Sequence, residues 1–331
     1  MGRPKAPRPG MPAWLPQHLR HLAVNHRPTA SLAQPPCRAD LFGNPPRWPE
    51  RHSQKRDKNY KTVRRSTMRI DLNADVGESF GVYTLGQDAA LMPHITSANV
   101  ACGFHAGDPG VMRATVALAR EHGVAVGAHP GFPDLAGFGR RELNATSREV
   151  EDYVVYQVGA LAAMAGAQGV PLQHVKPHGA LFNMAAVEAA LADAIARAVA
   201  AVDPALILFA LPESELQRAG ERAGLRVAVE GFADRAYERD GRLVPRSNRG
   251  AVITDPAVVM NRALMMAREG VVTACDGSVV RLHIDTICIH GDTRGAGELA
   301  VGMRRALENA GIEIAAVSRP SRPSAESQPP R

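Results

Sequence analysis

The sequence predicts an α/β protein folded as a TIM-like (β/α) barrel of seven strands, and three observations support this prediction. Short β-like runs alternate with helical patterns along the chain, which is typical of a parallel sheet. Clusters of His, Asp, Asn, Lys and Glu stand at the end of almost every run, as they do on the C-terminal face of barrel enzymes. The alternating body also has the usual barrel length of about 250 residues. An open doubly wound sheet is the alternative, but it would gather its polar groups at one switch point.

The strands are predicted from short apolar runs that are bounded by turn residues, a pattern typical of buried parallel strands. They cover residues 69–73, 97–102, 124–128, 172–176, 205–210, 226–230 and 284–289. A further stretch, residues 271–282, has Asp276-Gly277 at its centre. Because this dipeptide favours two-residue hairpin turns, the stretch predicts an inserted β-hairpin.

Helices are predicted where a capping residue precedes a run with helical periodicity. Asp108-Pro109 begins one helix that ends near residue 121, since Asp favours the N-cap and Pro the first turn. Thr146 and Glu149 have capping-box spacing and begin a long Ala-rich helix that ends near residue 169. Further helices are expected over residues 185–201, after Pro212-Glu213-Ser214, over 255–269 and over 293–310.

Charge divides the chain into a basic, Pro-rich extension (residues 1–67) and a folded catalytic body (residues 68–317). The extension holds 14 Lys/Arg against 3 Asp/Glu, so it accounts for the net charge of +6. We expect it to be disordered. Met68, directly before the first strand, suggests that translation starts there, and a genuine basic tail that contacts a partner is the alternative. The Ser/Pro-rich residues 318–331 are expected to form a second disordered tail.

Composition argues against several classes of function. The excess basic charge lies outside the body, so nucleic acid is not an expected partner. No apolar stretch reaches the length of a signal-peptide core or the ~20 residues of a membrane span. We therefore expect no membrane contact. The body has three cysteines without CxxC spacing, and this odd set indicates a reducing, cytoplasmic compartment. The sequence has no GxxxxGKS/T phosphate loop, no GxGxxG after a strand and no GxSxG elbow, so it indicates neither a nucleotide site of its own nor a serine nucleophile.

Three carboxylates lie within the first polar block: Asp71, Asp75 and Glu78. Strand alternation suggests that they cannot all be buried, so Asp75 and Glu78 are expected beyond the strand, over the barrel mouth. With Asn73 beside them, they could orient a cation or act in acid/base catalysis. A solvated loop is the alternative.

The second and third strand ends bring further polar groups. Asn99 and His105 belong to a Gly-containing turn that would let the backbone approach a ligand closely, and His129 ends the third strand. Arg141 follows in a Gly/Arg loop that could clamp an anionic substrate, because a guanidinium binds carboxylate or phosphate bidentately. A solvated turn is the alternative for Arg141.

Lys176 ends the fourth strand, and His178 follows it. Desolvation is expected to lower the pKa of this lysine, which would suit it to acid/base work or to stabilising an oxyanion. A salt bridge to a carboxylate at the barrel mouth is the alternative, and both can hold together. The later strand ends carry Glu230, Asp234, Arg235, His290 and Asp292.

Several of these side chains are of the types that ligate divalent metals, namely Asp75, His105, His129 and His290. None has a diagnostic spacing such as HExxH. A metal-free site is therefore favoured. If a divalent metal is used, Asp75, His105 and His129 are the candidate ligands.

Seven blocks occur in the order DLNADVGE, ANVACGFHAGDP, GAHPGFPD, GFGRR, VKPHGALFN, EGFADRAY and IHGDT. Together they closely resemble the family of 5-oxoprolinase A subunits, also called the LamB/YcsF family, from residue 68 to about residue 317. The resemblance implies cleavage of 5-oxo-L-proline to L-glutamate coupled to ATP hydrolysis, with partner subunits B and C that handle the ATP. It also implies a barrel related to the glycoside hydrolase/deacetylase superfamily.

On this resemblance, our mechanistic hypothesis gives the chain the hydrolytic step. Asp75 or His129 deprotonates a water, and Lys176 and His178 stabilise the developing charge. Either Arg141 or Arg235 holds the substrate carboxylate. The residues expected to bind substrate are Asn73, Asn99, His105, Arg141, Glu230, Asp234, Arg235, His290 and Asp292.

The alternative function is a stand-alone, metal-dependent amidohydrolase or deacetylase acting on small amides or sugars. Its ligands would be Asp75, His105 and His129. A barrel that binds carbohydrate or peptide without turnover is a third interpretation, which the density of titratable strand-end groups disfavours.

Overall fold

The computed structural model describes residues 68–246, 248–291 and 295–318. The extension over residues 1–67, the tail from residue 319 and Asp292 lie outside the described residues, so the expectations for them stay predictions. Within the described ranges, no helix combines the length and apolar character needed to cross a lipid bilayer.

Strands and helices alternate along the described chain. The strands are β1 (Arg69–Val76), β2 (Ser97–Ala101), β3 (Ala125–His129), β4 (Leu172–Val175), β5 (Ile207–Ala210), β6 (Arg226–Phe232), β7 (Val271–Thr273), β8 (Val279–Arg281), β9 (Thr286–His290) and β10 (Glu313–Ile314). The helices are α1 (Asp88–Leu91), α2 (Pro109–Glu121), α3 (Ser147–Gly166), α4 (Gly179–Ala185), α5 (Ala189–Val202), α6 (Glu215–Arg222), α7 (Pro256–Glu269) and α8 (Ala296–Asn309). A short 3₁₀ helix covers Met92–His94.

Seven parallel strands close into a barrel in the order β1-β2-β3-β4-β5-β6-β9, and β9 pairs back with β1. Each connection between neighbouring strands contains at least one helix, as parallel crossovers usually do. The prediction of a seven-stranded, TIM-like (β/α) barrel is therefore confirmed.

Local signals set several element ends as predicted. Asp108 caps α2 by accepting from the N–H groups of Gly110 and Val111. The capping box of Thr146 and Glu149 is present at the start of α3. The predicted hairpin over residues 271–282 is formed by β7 and β8, which pair antiparallel.

Several elements differ from prediction. The sequence analysis does not identify α1, the 3₁₀ helix or α4. The helix expected over residues 185–201 begins only at Ala189, because Glu188 before it has extended backbone angles (φ −107°, ψ 101°). The sequence does not predict β10, which has two residues and pairs parallel with Arg69 and Ile70 at the start of β1. A strand this short cannot display the alternation that identifies strands.

Both faces of β1 are buried. One face belongs to the apolar core and carries Leu72, Ala74 and Val76, while the other faces the barrel interior and carries Asp71, Asn73 and Asp75. Glu78 lies beyond β1 as expected, but Asp75 lies within the strand. The expectation that the three carboxylates cannot all be buried is wrong, since Asp71, Asp75 and Glu78 are 1%, 8% and 5% exposed. A closed barrel buries the inward face as well as the outward one.

Asp71 lies near the start of β1 and is enclosed by hydroxyl groups. Its Oδ1 accepts from Thr96 Oγ1 at 2.6 Å and from Ser97 Oγ at 2.8 Å, and its Oδ2 accepts from Thr286 Oγ1. Burial raises the pKa of Asp71 to about 6 in spite of these hydrogen bonds. Desolvation therefore outweighs the three donors at this position.

The imidazole of His174 passes directly beside Gly127 of β3, where a Cβ would overlap the ring. Gly127→Ala should lower the free energy of unfolding by about 1–3 kcal/mol, because the ring is hydrogen-bonded to Asn99 and cannot retreat freely. Denaturant unfolding measures the change. The matched control is Gly159→Ala, on the exposed side of α3 with no atom within 4 Å of the added carbon. It should stabilise by up to about 1 kcal/mol, and equal losses for both variants would contradict the packing argument.

Because of Asp71, the free energy of unfolding should fall as the pH rises. Its folded-state pKa of about 6 exceeds the ordinary 3.8, so the folded chain holds this proton while the unfolded chain has released it. This stabilisation is fully present below about pH 4 and is lost as the pH rises through about 6. The free energy of unfolding should fall by about 3 kcal/mol in total over this range. Asp71→Asn should remove this slope in unfolding experiments from about pH 4 to pH 7, and an unchanged slope would contradict the assignment.

Candidate active site

The carboxyl ends of the barrel strands open into a cleft of about 450 Å³, the size of a small-molecule site. Parallel strands all end at the same rim, so groups far apart in sequence meet there. Six residues predicted for the site line this cleft: Asp75, His129, Lys176, His178, Arg235 and His290.

Lys176 follows β4 directly, and its side chain is buried. Its Nζ lies 2.9 Å from a carboxylate oxygen of Asp75 and 2.9 Å from one of Glu230, and it donates to Cys288 Sγ at 3.0 Å. Burial alone would lower the pKa of Lys176, but Asp75, Cys288 and Glu230 raise it well above 10.5. The expectation of a lowered pKa is therefore wrong. The alternative interpretation, a salt bridge to carboxylates at the barrel mouth, is correct for Lys176. A permanently charged ammonium suits oxyanion stabilisation rather than proton transfer.

Asp75 connects this lysine to the histidines. Its Oδ1 accepts from Lys176 Nζ and from Asn99 Nδ2 at 2.8 Å, and its Oδ2 lies 3.5 Å from His129 Nε2. Burial would raise the pKa of Asp75, yet the charges of His129 and Lys176 hold it well below 3.8. Asp75 is thus a carboxylate that fixes two cationic side chains in place.

His129 and His178 share a hydrogen bond, with His129 Nε2 and His178 Nδ1 2.9 Å apart. The other nitrogen of each ring faces a carbonyl oxygen: His129 Nδ1 lies 2.7 Å from Lys176 O, and His178 Nε2 lies 2.8 Å from Phe138 O. Because a carbonyl only accepts, both of these nitrogens carry protons. A third proton must lie between the two facing nitrogens, so the pair carries one positive charge.

The position of this third proton follows from the surroundings of the two rings. Burial and the neighbouring His129 lower the pKa of His178 well below 6.5. The shared proton therefore resides on His129 Nε2, which lies 3.5 Å from Asp75, and His178 accepts it at Nδ1. His129 is arranged as a proton donor.

His105 stacks parallel on His178, with ring centroids 3.7 Å apart, and neither of its ring nitrogens has a hydrogen-bond partner among the described residues. Burial and the neighbouring His178 lower the pKa of His105 well below 6.5. Glu78, His105, His129 and His178 form a buried group that could hold a metal ion, since their potential ligand atoms lie within 4.8 Å of one another.

The ring orientations in this group fit a shared proton better than a metal. An imidazole binds a metal in the plane of its ring, so the parallel rings of His105 and His178 cannot both reach one ion. The facing nitrogens of His129 and His178 are hydrogen-bonded to each other, so a metal would require His178 to turn. A second group, Asp75, Cys288 and His290, lies against the ammonium of Lys176, whose charge repels a cation.

His290 ends β9, and its Nδ1 lies 2.7 Å from Asp234 Oδ2. Its ring stacks on Phe232 with centroids 5.5 Å apart and planes inclined by 22°. Burial would raise the pKa of Asp234, but His290 and Arg235 lower it below 3.8. Asp234 is therefore a carboxylate that holds the ring of His290 from behind.

Arg235 and Arg141, the two arginines predicted to bind the substrate carboxylate, lie in different places. Arg235 lines the cleft, and its guanidinium donates to Val244 O at 2.6 Å and to Ala251 O at 3.2 Å. Burial lowers the pKa of Arg235 to about 10. The two hydrogen bonds hold the guanidinium of Arg235 in a fixed position at the rim of the cleft.

Arg141 is not brought to the cleft. It pairs with Asp134, and its side chain is 65% exposed, whereas its neighbour Arg140 lines the cleft. A turn through Phe138 and Gly139, both with positive φ, sets which arginine faces inward. The sequence does not distinguish the two, because this turn depends on contacts made after folding.

Other predicted residues lie beneath the cleft rather than at its surface. Asn99 donates to Asn73 Oδ1 at 2.7 Å and to Asp75, and its Oδ1 lies 2.8 Å from His174 Nε2. His174 is therefore a residue that the sequence analysis missed. The available signal was strand alternation, which places His174 and Lys176 on the same face of β4.

A stronger signal was also missed. Lys176 is the only lysine among residues 68–331, where the other basic residues are arginines and histidines. A single lysine at the end of an apolar strand indicates a position that needs an ammonium group rather than a generic surface cation.

Comparisons with known proteins identify the family. The LamB/YcsF family model matches residues 70–322. Two similar proteins are named as the A subunit of 5-oxoprolinase: one from Bacillus subtilis (strain 168), 56% identical over 249 residues (75% of this chain, 97% of the relative), and one from Rhodopseudomonas palustris, 55% identical over 249 residues (75% and 98%). A crystal structure of a lactam utilization protein from Thermus thermophilus is 52% identical and has a TM-score of 0.73, covering 76% of this chain and 100% of that one. The chain belongs to the LamB/YcsF family.

Proposed function

We propose that this chain carries out the ring-opening hydrolysis of 5-oxo-L-proline to L-glutamate within a 5-oxoprolinase assembly. The names of the relatives support the substrate, and the name of the Thermus protein supports a lactam. The observation that carries the proposal is the arrangement of a buried ammonium, Lys176, and a protonated imidazole, His129, around Asp75. Opening an amide needs a positive group near the carbonyl oxygen and a proton for the departing nitrogen.

ATP is needed because a five-membered lactam is a stable amide. Phosphorylation of its carbonyl oxygen would make the ring carbon open to attack by water. The chain has no phosphate-loop motif, so we assign ATP to partner subunits B and C. The names of the relatives, which designate one subunit of a larger enzyme, support such partners. Since ATP is abundant in the cytoplasm, we expect the assembly to work there.

The cleft residues then have separate tasks. Lys176 stabilises the negative charge of the phosphoryl group on the activated carbonyl oxygen, and His129 protonates the ring nitrogen while His178 maintains its orientation. Arg235, fixed at the rim, binds the substrate carboxylate together with Arg140. Arg140 takes the role that the sequence analysis gave to Arg141, because Arg141 pairs with Asp134 away from the cleft.

A metal-dependent amidohydrolase is the second candidate, and one observation favours it: both ring nitrogens of His105 are buried without a partner among the described residues. If a divalent ion were bound at His105, Glu78 and His129 would be its other ligands from this group, because the parallel ring of His178 cannot reach the same ion. Such an ion would act as a Lewis acid on an amide carbonyl. The hydrogen-bonded geometry of the histidine pair favours the first candidate.

A reconstitution assay tests the proposed function. The full chain, mixed with subunits B and C from the same organism, should release glutamate from 5-oxoproline only when ATP is present. Omitting this chain should abolish glutamate release. Turnover of amides by this chain alone, without ATP and with sensitivity to a chelator, would instead support the second candidate.

Substitutions at Lys176 separate its catalytic task from its structural one. Lys176→Met leaves Asp75 and Glu230 without their counter-charge and should lower stability by about 3–5 kcal/mol. It should also lower kcat by about 10²-fold or more, because the phosphoryl group on the activated substrate loses its positive partner. The double variant Lys176→Met/Glu230→Gln removes one negative charge with the lysine and should regain much of the stability. Its kcat should stay low, and recovery of turnover would make Lys176 purely structural.

A further inference from the structure

The water that opens the ring must lose a proton, and the cleft contains one histidine arranged to accept it. We propose that His290 is the general base for this water and that Asp234 is its positioning residue. The inference rests on the proposed function, because it assigns a step within that reaction.

The hydrogen bond behind His290 fixes its tautomer. Asp234 is a carboxylate and can only accept, so Nδ1 of His290 carries the proton in the 2.7 Å contact with Asp234 Oδ2. In the neutral ring the Nε2 lone pair is then unprotonated. No hydrogen bond engages Nε2 within the described residues. The same carboxylate–imidazole arrangement orients the base in hydrolases that use a histidine to activate a nucleophile.

The ring is also in the right place. His290 lines the cleft and is paired in register with Asp75 on the neighbouring strand β1. One of its nitrogens lies within 4.8 Å of an Asp75 oxygen and of Cys288 Sγ. Stacking on Phe232 restricts rotation of the ring. A water at Nε2 would therefore lie at the same rim as the ammonium of Lys176.

The other candidate bases that line the cleft already have partners. Asp75 contacts two cationic groups that hold its pKa well below 3.8, so it binds a proton weakly. His129 must hold its protons to satisfy Lys176 O and His178. The Nδ1 lone pair of His178 accepts from His129, and Lys176 stays charged. His290 remains as the imidazole whose lone pair is open to the cleft.

The proton transfers balance in two steps. Phosphorylation of the carbonyl oxygen leaves a protonated C=N bond in the ring. In the first step, a water O–H bond breaks, its proton binds His290 Nε2, and its oxygen forms a bond to the ring carbon while the π electrons of the C=N bond move to nitrogen. In the second, the new hydroxyl loses its proton to solvent and becomes a carbonyl, the bond between carbon and ring nitrogen breaks, its electron pair goes to nitrogen, and His129 Nε2 supplies a proton. A second water hydrolyses the remaining acyl phosphate to a carboxylate and inorganic phosphate. His290 then releases its proton to solvent, and His129 regains one.

Kinetics of the reconstituted assembly test the base. His290→Gln should lower kcat by about 10²–10⁴-fold while KM changes little, because general-base assistance is lost but the binding groups remain. Asp234→Asn should also lower kcat with little change in KM, since an amide no longer fixes the tautomer. The control is His283→Gln, a substitution of an exposed histidine, which should retain wild-type kcat.

A second variant distinguishes loss of the base from misfolding. His290→Gly should be inactive but partly restored by added imidazole, which a structural role would not allow. If His290→Gln keeps the wild-type kcat, or imidazole gives no rescue of a folded His290→Gly protein, the base assignment is overturned. If the wild-type assembly releases no glutamate from 5-oxoproline, the proposed function itself fails, and this step fails with it.

Discussion

The buried ammonium of Lys176 is the constraint on which the arrangement of the cleft depends. A charge inside a barrel is tolerated only where opposite charges and hydrogen bonds replace water. Asp75 and Glu230 provide them from β1 and β6, two strands that are not neighbours in the barrel. The lysine therefore joins strands that the sheet does not pair directly. Since Asp75 uses its other oxygen toward His129, the position of the histidine pair follows from that of the lysine.

Protonation in the cleft is set by what lies behind each imidazole. Backbone carbonyls stand behind His129 and His178, so each ring points an N–H group at a carbonyl, and a further proton lies between the two rings. A carboxylate stands behind His290, so this ring presents a lone pair to the cleft. Three residues of one type thereby differ in chemistry, because the bond made by one ring nitrogen determines the state of the other.

Much of the barrel could be predicted from sequence because its signals are local: alternating strand and helix patterns, and capping residues such as Thr146 at the start of α3. The polar strand ends predicted where the cleft lies. Burial of Asp75 could not be predicted from alternation alone, since closure of the barrel decides it. The pKa of Lys176 depends on carboxylates far away in sequence. The choice between Arg140 and Arg141 depends on a turn that forms only with the fold.

The lysine content of the barrel also has a practical consequence for studying its assembly. Lys176 is 2% exposed, and all other lysines of the chain lie within residues 1–67. Amine-directed cross-linkers and acylating labels therefore have no accessible target on the surface formed by the described residues. Contacts between this barrel and other proteins have to be mapped with reagents that react with carboxylates or guanidinium groups.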